Sequence, residues 1–364
     1  MMGALSHIRV LDLSRVLAGP WAAQVLADLG ADVIKVERPV GGDDTRHWGP
    51  FYLSDKDGNP TEQSAYFLSA NRGKKSIAVD ISSSQGQGII RKLIATSDVV
   101  IENFKVGGLK KYGLDYESLK ADHPGLVYCS ITGFGQNGPY AKRAGYDFMI
   151  QSMGGLMSIT GEPDGVAGSG PQKVGVAVAD EFTGLYSVIA IQAALSHRER
   201  TGEGQHIDMA LLDVQVSMLG NQALNFLMSD TAPQRMGNAH PNIVPYQAFE
   251  TKDGHMILAI GNDNQFAKFC AVVGRGELAD DERFTTNLAR IANRDILIPI
   301  LREILGSQNT DDWLVILENE HVPCGPINTI DQVFADPQVA HRGMQLNLEH
   351  PTAGNSPGDV PPKS

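Results

Sequence analysis

The sequence predicts an α/β protein in two parts, a large domain on a mainly parallel sheet and a smaller α+β domain. Three observations predict it. The chain has 364 residues, more than one domain of about 100–200 residues holds. Its first 135 residues alternate short apolar runs with amphipathic helical stretches, the spacing of right-handed βαβ units. A hairpin signal followed by helical sequence then fills the stretch near 225–320.

In chain order, residues 8–14 read as a strand, 19–29 as a helix stopped by Gly30, and 32–38 as a second strand. A strand at 76–81, a helix near 86–95, a strand at 98–104, a short helix around 115–121 and a strand at 126–132 follow. Residues 133–175 are rich in Gly, Pro and Ser with little periodicity, which marks a functional loop. A long helix at 180–198 leads through the turn 201–205 to a strand around 206–210 and another long helix through Met228. Residues 246–251 and 255–261 flank Lys252-Asp-Gly254, and Asp-Gly suits the positive φ of a tight hairpin turn. The remainder to about Leu317 is mostly helical. The large domain is expected at 1–224 with 321–364, the small one at 225–320, and the Pro/Gly-rich tail 353–364 is expected to be poorly ordered.

Net charge is −12, from 30 basic and 42 acidic side chains, which argues against nucleic acid as a partner. Residues 1–150 hold 17 basic and 16 acidic side chains, and the rest hold 13 and 26. Either the N-terminal cations are kept for an anionic ligand or they are solvated surface charge. Cys129, Cys270 and Cys324 form no CxxC pair and read as reduced thiols. The longest apolar run, 182–195, has 14 residues and carries Thr, Ser and Gln, short of the roughly 18 that a membrane span needs. The N-terminus lacks a basic segment followed by an apolar one. These features lead us to expect a protein of the cytoplasm, or of another reducing compartment such as the mitochondrial matrix.

Several chemistries drop out. The first βα turn reads Ser14-Arg-Val-Leu-Ala-Gly-Pro20, without the glycines that let a backbone approach a dinucleotide pyrophosphate, although Glu37 ends the next strand. Asn71-Arg-Gly-Lys-Lys-Ser76 resembles the end of a P-loop, but Leu68 stands where its first glycine belongs. No GxSxG, HExxH or metal-spaced histidine pair is present, and no metal is expected.

What remains resembles the class III CoA-transferases, the CaiB/BaiF family of formyl-CoA and carnitine CoA-transferases. The matching stretches are Arg15-Val-Leu-Ala-Gly-Pro20, Val33-Ile-Lys-Val-Glu-Arg-Pro39, Gly42-Asp-Asp-Thr-Arg46 with Trp48-Gly-Pro50, Asn71-Arg-Gly-Lys-Lys-Ser-Ile77, Ile101-Glu-Asn-Phe104 and Arg143-Ala-Gly-Tyr-Asp147. Gly155-Leu-Met-Ser-Ile-Thr-Gly161, Val174-Gly-Val-Ala-Val-Ala-Asp180, Thr201-Gly-Glu-Gly-Gln205, Ile243-Val-Pro-Tyr-Gln-Ala-Phe249, Gly261-Asn-Asp-Asn-Gln265 and Val322-Pro-Cys-Gly-Pro-Ile327 complete the set. The resemblance runs from about 6 to 352, and residues 237–254 are most similar to the succinyl-CoA:glutarate type. The family continues past His350-Pro-Thr-Ala-Gly354 with another strand and a segment returning to the large domain, whereas this sequence ends ten residues later.

The resemblance implies a Rossmann-like large domain, an interlocked homodimer, and Asp180 as nucleophile. The carboxylate would attack an acyl-CoA thioester, giving an anhydride and then an aspartyl-CoA thioester that passes CoA to a carboxylic acid acceptor. No tightly bound cofactor is implied, since CoA is itself substrate. A carboxylate of ordinary pKa near 3.9 is almost wholly ionised at pH 7, and a helix N-terminus would favour the anion by about 0.3–1 kcal/mol. As a plain N-cap, Asp180 would need no such role. CoA contacts carry over to Leu17, Ala18, Arg38, Arg72, Lys74, Lys75, Asn103, Phe104, Lys105 and Lys111, with Arg143 substituting for a cation absent at Ala144. Asp147 and Tyr146 are candidates to support the nucleophile. Trp48 and the Gly261, Asn262 and Gln265 segment resemble the pair gating the acyl pocket, and His240 and Tyr246 are candidates to hold a substrate carboxylate. Two other readings remain. One is α-methylacyl-CoA racemase chemistry, disfavoured because Tyr146, with an ordinary pKa near 10, stands where a base is needed. The other is a CoA-binding protein without turnover.

Overall fold

Strands that are apolar on both faces need cover on both faces, and that requirement organises the larger part of the protein. The computed structural model describes residues 3–359 and divides into two compact units. The larger takes in the chain up to Met157, Lys173–Pro233 and the stretch from Ala340. Its strands are β1 (Arg9–Asp12), β2 (Asp32–Glu37), β3 (Tyr52–Ser54), β4 (Pro60–Ser64), β5 (Lys75–Ala78), β6 (Val99–Glu102), β7 (Val127–Thr132) and β8 (His206–Ala210). Six form one parallel sheet in the order β5-β2-β1-β6-β7-β8. The order reverses between β1 and β6, and open α/β sheets place ligands beyond the carboxyl ends of the strands at such a point.

Alternate residues divide between the two faces. Val10, Val33, Val99, Ile101, Val127 and Cys129 pack with α1 (Ala18–Asp28) and with a long helix at Val178–Thr201. Leu11, Val36, Val100 and Tyr128 pack with Ile90 and Ile94 of a helix at Ser84–Ile94. The helices of this unit are thus α1, α2 (Ala65–Ser69), α3 (Ser84–Ile94), α4 (Tyr116–Leu119), α5 (Asp147–Met153), α6 (Leu156–Ile159, reaching into the second unit), α7 (Val178–Thr201), α8 (Leu211–Ser217) and α9 (Gly220–Ser229). α7 and α1 meet at a glycine. A Cβ on Gly184 would lie 2.9 Å from both the Ala18 carbonyl oxygen and Trp21 Cδ1.

The structure corrects four expectations. Residues 133–175 are not wholly irregular, because α5 and α6 form there. The single helix expected through Met228 is two, since Gly220 adopts φ +53°, outside the right-handed helical range. Asp180 does not cap its helix: Ala177 is the cap and Asp180 is the third helical residue. Much of the tail expected to be disordered is instead a strand, β13 (Gly354–Asp359), paired antiparallel with β12 (Gln345–His350). The turn between them is held by His350 Nδ1, which accepts from the Thr352 and Ala353 amides. Residues 360–364 of that expectation lie outside the described residues. The β3–β4 pair went unread because its turn is made by Asp55, which accepts from the Asp57 and Asn59 amides, with no apolar alternation to announce it.

The second unit comprises Ser158–Gln172 and Gln234–Val339, a wider span than 225–320. The expected hairpin is β9 (Tyr246–Glu250) with β10 (His255–Ala259), joined by β11 (Cys324–Pro326). Helices α10 (Asp263–Val272), α11 (Glu277–Asp280), α12 (Asn287–Ala292), α13 (Arg294–Leu305), α14 (Thr310–Asn319), α15 (Ile330–Ala335) and α16 (Pro337–His341, reaching the first unit's last stretch) complete the chain. Phe249, Leu258, Phe266, Phe269, Leu301 and Trp313 form its core.

Candidate active site

The segment after β1 cannot continue as a simple turn, because its residues are committed one by one. Asp12, wholly buried, takes the Ser14 amide and hydroxyl on one oxygen and the Lys74 ammonium at 2.9 Å on the other. Burial alone would raise this carboxyl, but Lys74 and Lys35 hold it below the ordinary range. Lys35 bonds the Ser14 carbonyl at 3.0 Å and pairs with Asp43 at 2.9 Å. Val16 then sits at φ +71°, an unusual conformation for a β-branched residue, with its amide on the Asp43 carboxylate. This carries the chain across the carboxyl end of the sheet into α1.

The segment after β6 meets it there. Asn103 mimics a backbone partner to Arg15, accepting from its amide at 3.0 Å and donating to its carbonyl at 2.7 Å. Glu102, buried, accepts from the Phe104 amide at 2.8 Å, and burial pushes its carboxyl up to about 7. The switch point of the sheet is therefore walled by 13–18 on one side and 103–105 on the other.

Two cavities lie there. One, of about 400 Å³, is lined by nine of the residues expected at the site: Leu17, Ala18, Trp48, Asn103, Phe104, Lys105, Arg143, Tyr146 and Asp180. The other, of about 480 Å³, is lined by Arg38, Phe104, Lys105 and Lys111 among others. They share Arg15, Asp44, Phe104 and Lys105. Val79, Asp80 and Ile81, just beyond β5, also line the second cavity, and nothing in their residue types had singled them out. Arg72, Lys74 and Lys75 line neither. Arg72 is paired with Asp28 at 2.8 Å, Lys74 is enclosed by Asp12, Asn71 and the Pro20 carbonyl, and Lys75 is paired with Asp32 at 2.6 Å.

Asp180 is half-buried in the first turn of α7. Burial, then the charges of Asp147 and Glu181, push its carboxyl up to about 7. The expectation of a nearly complete anion at neutral pH is therefore corrected: about half of the groups are ionised at pH 7. Asp147 accepts from the Ala179 amide at 2.9 Å and from Gln151 at 2.8 Å, tying the start of α5 to the start of α7 one residue before Asp180. Tyr66 was missed by sequence. Its ring meets Trp48 edge-on at 5.1 Å, and burial together with Asp180, Asp147, Glu181 and Asp43 pushes its hydroxyl up to about 12, so it remains a proton donor at neutral pH.

The other expected pocket residues belong to the second unit. Asn262 caps α10 by accepting the Gln265 amide at 3.0 Å, and Gln265 accepts the Gly261 amide at 2.8 Å. Asp263 is bonded at 2.8 Å by Arg290, a fully buried cation that also holds the Val244 and Phe284 carbonyls. His240 Nδ1 accepts from the Asn242 amide, and its ring packs edge-on against Tyr246 at 5.3 Å. Among the described residues, no cluster of three His, Cys, Asp or Glu suits a metal ion, and no helix is long and apolar enough to cross a membrane.

Comparison with known proteins follows the same lines. A succinate–glutarate CoA-transferase of Agrobacterium fabrum is 58% identical over 345 residues, covering 95% of this chain and 85% of that one. The human succinyl-CoA:glutarate CoA-transferase is 47% identical over 350 residues, covering 96% and 77%. The crystal structure of a CaiB/BaiF family protein from Brucella suis superposes with a TM-score of 0.84 at 55% identity, covering 100% and 97%. The profile of CoA-transferase family III matches residues 5–363, and this chain belongs to that family.

Proposed function

We propose that this CoA-transferase moves CoA from succinyl-CoA to a short dicarboxylate such as glutarate, through covalent intermediates on Asp180. One observation carries the reading: Asp180 lines a cavity that shares four residues with a second, cation-bearing cavity. CoA fits such a pair, with its phosphates toward Arg38, Lys105 and Lys111 and its thioester toward Asp180. The backbone at Leu17 and Ala18 and the side chains of Asn103 and Phe104 line the path between. Among the described residues Lys105 and Lys111 have no carboxylate partner, so their charge is available to an anion.

The ionised Asp180 oxygen attacks the thioester carbon, the C–S bond breaks, and CoA thiolate leaves an aspartyl–succinyl anhydride. The thiolate attacks the aspartyl carbonyl, succinate departs, and aspartyl-CoA remains. The acceptor carboxylate attacks this thioester to form a second anhydride and thiolate. The thiolate then takes the acceptor's acyl carbon and frees Asp180. No proton is consumed, and one thioester replaces another, so the exchange needs no nucleotide hydrolysis. Asp147 supports the sequence by fixing the Ala179 amide beside the nucleophile.

Two further parts of the reading concern the whole protein. Phe182, Leu185, Tyr186 and Ile189 form an exposed apolar stripe on α7, which a second copy of this chain would cover. The three cysteines are unpaired, which suits a reducing compartment such as the cytoplasm. The test of the chemistry is intact-protein mass spectrometry after brief incubation with succinyl-CoA, beside Asp180→Ala. A CoA adduct on the wild type alone is expected. An adduct that survives in Asp180→Ala, or none with several acyl-CoA donors, would remove Asp180 from the role.

A further inference from the structure

Of the seven cations lining the two cavities, three are committed to carboxylates. Arg15 and Arg38 both bond Asp44, at 3.0 and 2.7 Å, and Lys35 bonds Asp43. Arg143 is different. Its guanidinium lies 4.6 Å from the Tyr140 ring centroid and 5.3 Å from that of Phe134, two rings that themselves meet edge-on at 5.5 Å. Among the described residues its guanidinium has one polar contact, Met153 Sδ at 3.9 Å, and no carboxylate partner.

The backbone that carries it is equally fixed. The Arg143 amide donates to the Tyr140 carbonyl at 2.8 Å. Two residues on, Gly145 lies so close to Gly133, after β7, that a Cβ on either would fall within 2.5 Å of the other's Cα. A guanidinium held by two aromatic faces loses little freedom when it binds, and it presents its fork to a planar anion. Arg143 lines the cavity of Asp180 and Trp48, and is absent from the lining of the one that holds Arg38 and Lys111. The unpaired charge therefore belongs with the acyl end of the coenzyme and not with its phosphates. Lys142 and Lys105 also line the cavity, but no ring holds the first, and the second is shared with the phosphate side.

We propose that Arg143 is the specificity residue for dicarboxylates: it binds the distal carboxylate of the succinyl or glutaryl group while the proximal carbonyl meets Asp180. This deepens the transferase reading above and rests on it. It assigns Arg143 to the acyl group in place of the CoA contact that the resemblance implied.

Succinyl-CoA and butyryl-CoA differ only in a terminal carboxylate against a methyl group, so the pair isolates the contact. Their binding is measured by tryptophan fluorescence in Asp180→Ala, which prevents turnover, with and without Arg143→Gln and Arg143→Lys. Loss of a charge-assisted bond predicts that Arg143→Gln weakens succinyl-CoA about 10- to 100-fold. Butyryl-CoA and free CoA should stay within twofold, and Arg143→Lys should restore part of the difference. Parallel weakening of all three ligands would make Arg143 a phosphate contact or a structural residue and overturn the proposal, as would no change in any. Failure of the transferase reading is separate: it would show as a wild-type enzyme that forms no adduct whatever its binding preference.

Discussion

A carboxyl group held near pH 7 is a nucleophile only half the time at neutral pH, and this sets a first expectation at the scale of the residue. As the proposed nucleophile, Asp180 must be ionised to attack. Burial raises its pKa first, and the Asp147 and Glu181 charges add to that. The acid limb of kcat/KM for succinyl-CoA should therefore rise between about pH 6 and 8 and flatten above. Glu181→Gln removes one repulsive charge, which favours the anion and should move the limb to lower pH. A limb centred near the ordinary carboxylate range of about 4 would show that the free enzyme does not hold Asp180 at a raised pKa. Its flanks marked this residue as the candidate nucleophile, but its pKa was not legible there. Asp147 lies 33 positions away in sequence, and chain topology alone brings it here. The same holds for the cations. The near-neutral first 150 residues left a reserve for an anion and solvated surface charge both open, yet Arg9, Lys35, Arg46, Arg72, Lys74 and Lys75 are all spent in ion pairs within the fold. Composition counts charges and does not say which ones are paired.

At the scale of the element, the contact of α1 with α7 links packing to the site. α1 begins with Ala18, which lines the Asp180 cavity together with the preceding Leu17, and α7 carries Asp180 itself. Gly184 sets how closely they approach, because any side chain there meets backbone, the Ala18 carbonyl at 2.9 Å. Gly184→Ala should cost about 1–3 kcal/mol of stability through overpacking, a fall of several degrees in Tm. It should also raise KM for acyl-CoA, since the helix displaced is the one that lines the pocket. A melting temperature and KM both equal to wild type would mean that the two helices can slide apart freely. The strands β1, β2, β6 and β7 were legible because each is mainly apolar and bounded by breakers, β8 because Ile207 and Met209 alternate with polar residues after a glycine-bearing turn, and α1, α3 and α7 because their apolar positions recur at helical spacing. The break between α8 and α9 was hidden, since one glycine in a helical pattern is as often tolerated as decisive. The β3–β4 and β12–β13 pairs were hidden for another reason. Their strands carry polar residues and rest on turn hydrogen bonds, which leave no periodic trace.

At the scale of the whole molecule, the apolar stripe on α7 has to be explained by something outside a single chain. Phe182, Leu185, Tyr186 and Ile189 recur at the spacing of one helix face, and Ile189 is 64% exposed. On α9 the same unit adds Leu224, Leu227 and Met228, the last 86% exposed. Isolated exposed apolar side chains are ordinary, but two helices bearing several each are the usual mark of an interface. The stripe begins two residues after Asp180 on the same helix, so whatever covers it also buries the rim of the segment that carries the proposed nucleophile. A second copy is the occupant that the family resemblance implies, and light scattering during gel filtration should give twice the 39.2 kDa of one chain. Ile189→Asp places a charge in the middle of the stripe and should shift the protein toward the single-chain mass. If that variant lost activity in step with dimer content across a dilution series, the partner would be part of the working site. A wild type that runs as a single chain at every concentration would leave the stripe without the partner assigned to it.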